Sequence, residues 1–255
     1  MKPELDAKLL RDLRKAYRVV VFTGAGVSAE SGIATFRDAL TGLWTHFRVE
    51  DLATLEGFQR DPELVWAWYE ARRAQVLRAQ PNPAHQAIAK MAKLLPRVTV
   101  VTQNVDDLHE RAGSTGVLHL HGSLHTPRCA LCGAPHPMPL CLPADTRGEN
   151  RLAPPRCSMC GGLVRPGVVW FGEMLPQEEL SAAQKAAMAC DFLLCVGTSG
   201  VVWPAAGLPA LARDTGATVV QVNADASDLD AICQFNLRGP AGKLLPQLVQ
   251  AAFDR

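Results

Sequence analysis

The sequence predicts an α/β fold: a Rossmann-like, doubly wound parallel sheet with a small inserted zinc-binding lobe. Short apolar runs alternate with helical stretches, the pattern of parallel strands joined by crossover helices. Polar or glycine-rich segments follow four of the apolar runs, at residues 23–37, 103–107, 197–200 and 223–225. Ligands bind beyond the carboxyl ends of such strands, so these segments predict one shared crevice. Residues 124–166 interrupt the alternation and are rich in proline, cysteine and glycine.

The first half of the chain begins with an amphipathic helix over residues 4–16 and a buried strand over 19–22. Asp61 and Pro62 are typical of the N-cap and first position of a helix, and they begin the next long one. After the break at 81–83, we expect a helix and two strands, over residues 84–95, 97–102 and 117–120.

The second half returns to the same alternation after residue 166. Its apolar and strand-like segments lie at 168–171, 192–196 and 217–222. The expected helices lie at 177–189, 204–214 and 243–253. This order supports a parallel sheet.

The composition is that of an ordinary globular protein. The chain has 255 residues, of which 48% are hydrophobic and 20% charged, with a formal net charge of +1. That balance gives no reason to expect a nucleic acid or a membrane as partner. The charged N-terminal segment is unlike a signal peptide, and no apolar run reaches the roughly 18 residues of a membrane span. We therefore expect a cytoplasmic protein.

A glycine-rich segment follows the first predicted strand, from Thr23 to Gly32. A strand that leads through glycines into a helix start can cradle phosphate, because the backbone approaches closely and N–H groups face the anion. Gly24 and Gly26 fit the pattern G-x-G-x-x-G, but Ala29 stands at the third glycine position. On these residues alone, a tight turn without a ligand remains the alternative.

Four of the eight cysteines form two C-x-x-C pairs, Cys129 with Cys132 and Cys157 with Cys160. The two pairs supply four thiolates, a tetrahedral set suited to zinc. Because four protein ligands leave no open position, the expected metal is structural. A chance pairing or a redox dithiol is the alternative.

Among the seven histidines, His121 is the candidate catalytic residue. It ends a predicted strand, where an imidazole in a crevice can act as a general base near neutral pH. A structural histidine is the alternative. We expect His119 to face the opposite side of the strand and His109 to be a packing or positioning residue, while His85 carries no signal.

Several segments together resemble the sirtuin family of NAD-dependent protein-lysine deacylases, over nearly the whole chain. They are, in order, GAGVSAESGIATFR, TQNVDDLH, LHGS, the two C-x-x-C pairs, RPGVVWFGE, GTSGVVWPAA and VNAD. The resemblance implies a large NAD-binding domain formed by residues 1–123 and 167–255 and a small zinc module at 124–166. A helical insertion around 45–80 would contribute to the small lobe and to the acyl pocket.

By this resemblance, NAD and an acyl-lysine meet in the cleft between the two lobes. His121 corresponds to the catalytic base, and Asn104 is assigned to catalysis as well as to NAD. The implied cofactor-binding residues are Gly24, Ala25, Gly26, Ser28, Ala29, Glu30, Gly32, Ile33, Thr35, Phe36, Arg37, Trp44, Gln103, Asn104, Val105, Asp106, Gly197, Thr198, Ser199, Asn223, Ala224, Asp225 and Ala241.

The late glycine of the first loop leaves room for a segment, residues 31–41, that covers the reacting ribose. Phe36 is the candidate apolar wall that excludes water there. Two features depart from the family pattern. Ala34 stands where many members have proline, and residues 38–41 replace a more glycine-rich loop.

Tyr69 and Arg72 lie three residues apart on the helix that begins at Pro62, so they share a face. A phenol beside a guanidinium can hold a carboxylate, although periodicity alone favours an ordinary amphipathic helix. The pair matches the Tyr-x-x-Arg signature of the class III, bacterial-type sirtuins, which remove succinyl, malonyl and often acetyl groups. The substrate peptide is expected to pair with the main chain of a short strand, Val168, Val169, Trp170 and Phe171.

The resemblance implies transfer of the lysine acyl group to ADP-ribose, which consumes NAD and gives nicotinamide, O-acyl-ADP-ribose and free lysine. The partners would be acylated-lysine proteins, and we expect a monomer. A plain deacetylase and a mono-ADP-ribosyltransferase remain alternatives on the same scaffold. The incomplete glycine pattern argues against a zinc-containing dehydrogenase, and the polar loops at strand ends argue against a non-enzymatic zinc-ribbon module.

Overall fold

The computed structural model describes residues 5–33, 48–138 and 151–254. The described strands, in chain order, are β1 (Arg18–Thr23), β2 (Arg97–Thr102), β3 (Leu118–His119), β4 (Arg128–Cys129), β5 (Val164–Arg165), β6 (Phe192–Val196), β7 (Thr218–Asn223) and β8 (Phe235–Arg238). The described α-helices are α1 (Ala7–Lys15), α2 (Gly26–Ala29), α3 (Val49–Leu52), α4 (Leu55–Arg60), α5 (Pro62–Arg78), α6 (Pro83–Leu94), α7 (Leu108–Arg111), α8 (Gln177–Ala189), α9 (Leu208–Asp214) and α10 (Ala241–Phe253).

A six-stranded sheet forms the centre of the protein, in the spatial order β3-β2-β1-β6-β7-β8. Each neighbouring pair is parallel, as in the register Val21 with Val100 on one side and Val21 with Leu194 on the other. This is the Rossmann strand order, in which the chain reverses its direction of winding between the two central strands. The predicted fold class is therefore confirmed, and the switch point lies between β1 and β6.

Both faces of the sheet are covered, which explains why β1 is apolar along its whole length. Val19 and Val21 face one core, which α1, α6 and α10 close. Val20 and Phe22 face the other core, which α8 and α9 close. Alternate residues of one strand thus bury into different layers, as the period of two requires.

The long helix α5 begins where the sequence predicts. The Asp61 side chain accepts a hydrogen bond from the Leu64 amide at 3.2 Å, and Pro62 occupies the first turn. Ten residues of this 17-residue helix are buried, because it packs against α3, α4 and the segment around Trp170 in a third apolar cluster. Such wide burial is typical of a helix enclosed between elements rather than lying on a surface.

A separate two-stranded antiparallel sheet, β4 with β5, lies within the predicted zinc module, with Cys129 opposite Val164. The proposed domain boundaries stay a prediction. No helix among the described residues is long and apolar enough to cross a membrane.

Two local expectations differ from the structure. Residues 168–171 do not form a strand: Val168 and Phe171 each make an isolated bridge, to Gly122 and Thr54. The edge strand β8 was not expected, although Phe235 and Leu237 alternate with exposed residues in the pattern of a half-buried strand.

Candidate active site

The loops that follow β1 and β6 meet at the switch point of the sheet. A Cβ at Gly24 would lie 2.8 Å from the Gly197 carbonyl oxygen, and a Cβ at Gly26 would lie 2.8 Å from the Gly197 Cα. Gly197 itself has a φ of 60°. Glycine is required at these positions because two backbones approach each other, which places both loops at the edge of the crevice.

A row of polar side chains joins the ends of three strands across this crevice. The Gln103 amide donates to the Thr198 hydroxyl at 2.8 Å, and the Asn223 amide donates to the Thr198 carbonyl at 3.0 Å. The Gln103 backbone N–H donates to the carbonyl of Thr23 at 3.0 Å. The described parts of the predicted segments at 23–37, 103–107, 197–200 and 223–225 therefore share one edge of the sheet.

Ser28, within the glycine-rich segment 23–32, is the centre of a buried polar network. Its hydroxyl donates to Asp106 Oδ2 at 3.0 Å, accepts from the Asn104 amide at 3.1 Å and lies 3.4 Å from His85 Nε2. The backbone N–H of Asn82 donates to His85 Nδ1 at 3.3 Å, so the imidazole proton is on Nε2 and points to Ser28. One donor and two acceptor sites of the hydroxyl are all used. The network fixes Asn104 and Asp106 relative to the loop.

The charged and titratable members of this network are shifted by burial. Burial raises the pKa of Asp106 above its usual value, although the Leu108 N–H and the Ser28 hydroxyl act in the opposite direction. Burial lowers the pKa of His85 to about 4 and that of His109 to about 3. Both imidazoles are therefore neutral at physiological pH, and their rings lie edge to face at 4.9 Å.

His121 has the hydrogen bond that a general base requires. Its Nδ1 lies 2.9 Å from the carbonyl oxygen of Gln103. A carbonyl only accepts, so Nδ1 carries the proton and Nε2 of the neutral ring keeps a lone pair. Burial lowers the pKa of His121, with the Gln103 carbonyl opposing, so the neutral form is present at pH 7.

The expectation for His119 is wrong. The His119 Nδ1 lies 3.1 Å from the Asn104 carbonyl oxygen. The His121 Nδ1 contacts the carbonyl oxygen of the preceding residue, Gln103, so both imidazoles lie against the same stretch of backbone. Residues two apart share a face of a strand. His119 Nε2 lies 2.8 Å from Glu110, and although burial lowers the pKa of His119, this acidic partner outweighs it and the pKa is raised.

The first loop is also anchored at its end. Glu30 Oε1 accepts a hydrogen bond from the Gly242 N–H at 2.7 Å. The Glu30 carboxylate thus lies at the N-terminus of α10, next to Ala241, and takes the place of a side-chain cap that this helix lacks. The Gln75 amide of α5 donates to the Gly32 carbonyl at 2.7 Å. Among the other predicted cofactor residues, Ile33 is buried, whereas Ala25, Ala29, Ser199, Ala224 and Asp225 are exposed.

Val105 accepts at its carbonyl from the Leu124 N–H at 3.0 Å. This bond joins the 103–106 segment to the first residue of the predicted zinc module. Four predicted cofactor residues, Thr35, Phe36, Arg37 and Trp44, lie outside the described residues, as do residues 34–41 of the expected covering segment.

Tyr69 and Arg72 lie on one face of α5, as predicted. The Tyr69 hydroxyl accepts a hydrogen bond from Trp170 Nε1 at 2.9 Å. The Arg72 guanidinium lies over the Trp68 ring at 4.9 Å. Burial raises the pKa of Tyr69 and lowers the pKa of Arg72, although Tyr69 and Asp106 act in the opposite direction on Arg72 and favour its charged form. A phenol and a cation are thus held together next to the 103–106 segment.

The main chain at 168–171 is used within the protein. The Val169 N–H donates to the His121 carbonyl at 2.9 Å, and the Phe171 N–H donates to the Ala53 carbonyl at 3.0 Å. The Trp170 N–H donates to Glu173 Oε2 at 2.8 Å. A substrate peptide that paired with the Trp170 amide would have to displace Glu173. The segment does lie against His121, as its predicted role requires.

The four cysteines of the two C-x-x-C pairs come together, with all Sγ atoms within 4.8 Å of one another. The Sγ atoms of Cys129 and Cys160 are 3.5 Å apart, and those of Cys132 and Cys157 are 3.8 Å apart. A tetrahedral zinc with Zn–S bonds of about 2.3 Å requires S–S separations of about 3.8 Å. The N–H of Leu131 also points to Cys129 Sγ at 3.3 Å, so the knuckle geometry fits zinc.

Sequence reasoning missed His85 and Asn82. The Asn82 side chain donates to the Val27 carbonyl at 2.8 Å and to the Ser31 hydroxyl at 3.0 Å, which fixes the loop from below. An available signal was the position of Asn82 directly before Pro83, since asparagine is a preferred N-cap and His85 is the third residue of that helix. The contact with Ser28 depends on tertiary structure alone.

Comparisons with known proteins agree with this geometry. The model of the Sir2 family matches residues 24–204. An NAD-dependent protein deacylase of Methylococcus capsulatus is 58% identical over 248 residues, 97% of each chain. A solved Sir2 homologue–NAD complex has a TM-score of 0.90 and 45% identity, covering 98% of this chain and 94% of that one. A complex of Sir2 with a p53 peptide and NAD+ has a TM-score of 0.82 and 29% identity, covering 97% and 98%.

Proposed function

The chain belongs to the Sir2 family, and we propose that this NAD-dependent protein deacylase removes lysine acyl groups that end in a carboxylate, such as succinyl and malonyl, as well as acetyl. The reaction consumes NAD and yields nicotinamide, O-acyl-ADP-ribose and free lysine. The observation that carries the acidic-acyl part is the placement of a buried phenol, Tyr69, on the same helix face as Arg72.

The crevice at the switch point supports NAD as the substrate that is cleaved. Gly24, Gly26 and Gly197 keep the two loops free of side chains where a pyrophosphate approaches. Thr198 and Asn223 lie at the end of the crevice that we assign to the adenosine ribose. NAD supplies the ribose carbon that the acyl oxygen attacks as nicotinamide leaves.

His121 supplies the base. Its Nδ1–H is committed to Gln103, so Nε2 accepts a proton from a ribose hydroxyl, and that oxygen then attacks the acyl carbon. Asn104 and Asp106, both hydrogen-bonded to Ser28, would hold the ribose and the nicotinamide carboxamide. The segment at 168–171 would hold the substrate peptide beside His121, because the Val169 N–H donates to the His121 carbonyl and keeps the segment next to the base.

Arg72 and Tyr69 would hold the terminal carboxylate of the acyl chain. A guanidinium and a phenol are both hydrogen-bond donors, and a partly buried cation interacts strongly with a carboxylate because little water screens the charges. An acetyl group has no such oxygen, so it gains nothing from the pair. This difference makes the proposal testable.

The four cysteines hold a zinc ion that stabilises the small lobe. A site with four thiolates has no open position for water or substrate, so the metal takes no part in the reaction. Monomeric state, cytoplasmic location and the absence of nucleic-acid and membrane partners stay predictions from the sequence.

The replacement Arg72→Met tests the acidic-acyl assignment. We expect kcat/KM for a succinyl-lysine peptide to fall about a hundredfold, because a charged contact in a poorly solvated site is lost. The kcat/KM for the acetyl-lysine peptide of the same sequence should change by less than about threefold. The matched control is Arg78→Met at the exposed C-terminal end of α5. Equal losses for both acyl groups, or no loss for either, would contradict the assignment.

A further inference from the structure

The indole of Trp170 and the hydroxyl of Tyr69 form a hydrogen bond between residues 101 positions apart, at 2.9 Å. Both side chains are buried, with 2% and 5% of their surface exposed. Trp170 was assigned above only through its main chain. Its side chain also contacts Tyr69, one of the two residues that we propose to hold the acyl carboxylate.

The direction of this bond follows from the chemistry of the two groups. An indole N–H only donates, so the Tyr69 oxygen must accept. The phenolic proton is therefore left to donate to another acceptor. Within residues 5–33, 48–138 and 151–254, the Tyr69 hydroxyl accepts this one hydrogen bond and donates none.

The indole is held firmly in place. The Arg165 guanidinium stacks on the Trp170 ring at 3.6 Å. Arg165 forms a bidentate ion pair with Glu173, and Glu173 Oε2 in turn accepts from the Trp170 N–H at 2.8 Å. The Phe58 ring packs on the indole at a centroid distance of 5.4 Å. These contacts fix both the plane of the indole and the direction of its N–H.

We propose that Trp170 is a positioning residue for acidic acyl groups: by donating to the Tyr69 oxygen, it commits the Tyr69 proton to the carboxylate that Arg72 attracts. This inference rests on the proposed function. The orientation is set before substrate binds, so the enzyme does not lose binding energy in ordering the hydroxyl. Acetyl-lysine lacks a carboxylate and is unaffected by the orientation.

The variant Trp170→Phe tests the proposal because it keeps an aromatic ring under Arg165 and removes only the donor. We expect KM for succinyl-lysine peptide to rise about five- to twentyfold, since a fixed hydrogen bond to a charged group is weakened. KM for the acetyl peptide should rise less, so the ratio of the succinyl to the acetyl kcat/KM should fall. Trp66→Phe, a buried tryptophan of the same helix as Tyr69, is the matched control and leaves the succinyl-to-acetyl ratio unchanged.

A double variant shows whether Trp170 acts through Tyr69. Tyr69→Phe should raise the succinyl KM at least as much as Trp170→Phe. Adding Trp170→Phe to Tyr69→Phe should have no further effect, because the oxygen that Trp170 contacts is then absent. Additive losses, or equal losses for succinyl and acetyl peptides, would overturn the proposal.

A second replacement avoids the difference in ring size. Incorporation of 3-benzothienylalanine at position 170 replaces the N–H by sulfur in a ring of nearly the same shape. The same selective rise in succinyl KM is expected, and an unchanged KM would overturn the inference. Arg72→Met is measured in parallel: if it leaves succinyl turnover unchanged, the acidic-acyl assignment fails, whereas a normal response to Arg72→Met with none to position 170 refutes only the role of Trp170.

Discussion

His121 donates a hydrogen bond from Nδ1 to the carbonyl oxygen of Gln103, at 2.9 Å. The residue that fixes the base therefore belongs to the same segment as Asn104 and Asp106. Through this bond, the tautomer of the imidazole is set by the backbone at the end of β2. The base is thus coupled to the crevice rather than to a separate acidic residue.

The pH dependence of the reaction should report His121. Its pKa lies below 6.5, so the neutral, competent form predominates above that value and is lost as pH falls. We expect kcat/KM for an acyl peptide to be independent of pH near pH 7. It should fall about tenfold per pH unit below the pKa of His121. An apparent pKa above 7 on the acid side of the profile would contradict this account.

His121→Ala should lower kcat/KM by a factor of about 10²–10⁴.

Removing the Ser28 hydroxyl should loosen the crevice. Ser28→Ala leaves Asp106, Asn104 and His85 without their common partner, at a cost of about 1–3 kcal/mol in unfolding free energy. We expect KM for NAD to rise about tenfold, as measured by initial rates of nicotinamide release. Ser181→Ala on α8 is the matched control. If KM and the melting temperature both stayed at wild-type values, the network would not position the crevice.

The zinc should be replaceable without loss of chemistry. With four thiolate ligands, exchange for Co²⁺ should leave kcat within a few-fold, whereas chelation should lower the melting temperature and activity together. Metal content is measured by atomic absorption, with Cys132→Ser expected to lose zinc and Cys233→Ser to retain it. A large change in kcat for the cobalt form, with unchanged stability, would assign the metal a catalytic role.

The buried imidazoles should make the fold acid-sensitive. Their folded pKa values, about 4 for His85 and about 3 for His109, lie below the unfolded value of 6.5. The unfolded chain therefore binds more protons between these limits, so stability is fully present above about pH 6.5 and is lost as pH falls toward 4. The loss is about 3 kcal/mol for His85. Asp106, whose pKa burial raises, acts in the opposite direction.

Denaturant unfolding between pH 4 and 7 measures this loss. The variant His85→Gln should reduce the slope of unfolding free energy against pH, because glutamine does not titrate. His136→Gln at a half-buried position within the zinc module serves as the control. An unchanged slope for His85→Gln would show that other groups cause the acid sensitivity.

Local sequence signals predicted the fold well where one interaction dominates. The apolar run of β2 and the Asp61–Pro62 start of α5 appear in the structure within a residue of their predicted positions. The crevice was also predictable, because the ends of parallel strands meet at one edge. β8 was missed because a four-residue edge strand with two polar residues has a weak pattern.

The contacts that depend on distant segments were beyond sequence reasoning. No spacing rule joins Trp170 to Tyr69 or His85 to Ser28, since both pairs form only when the sheet and α5 or α6 have packed. The strand expected at 168–171 was wrong for the same reason. There the Trp170 N–H bonds to Glu173, so a side chain takes the place of a ladder partner.

The most direct test of the account is the product analysis of the purified protein with NAD and a set of acetyl-, malonyl- and succinyl-lysine peptides, read by mass spectrometry. We expect nicotinamide, free-lysine peptide and O-acyl-ADP-ribose in equal amounts, with the acidic acyl groups among the substrates and with far less product from His121→Ala. Peptide that carries ADP-ribose, formation of NADH, or cleavage of the acetyl peptide alone would contradict it.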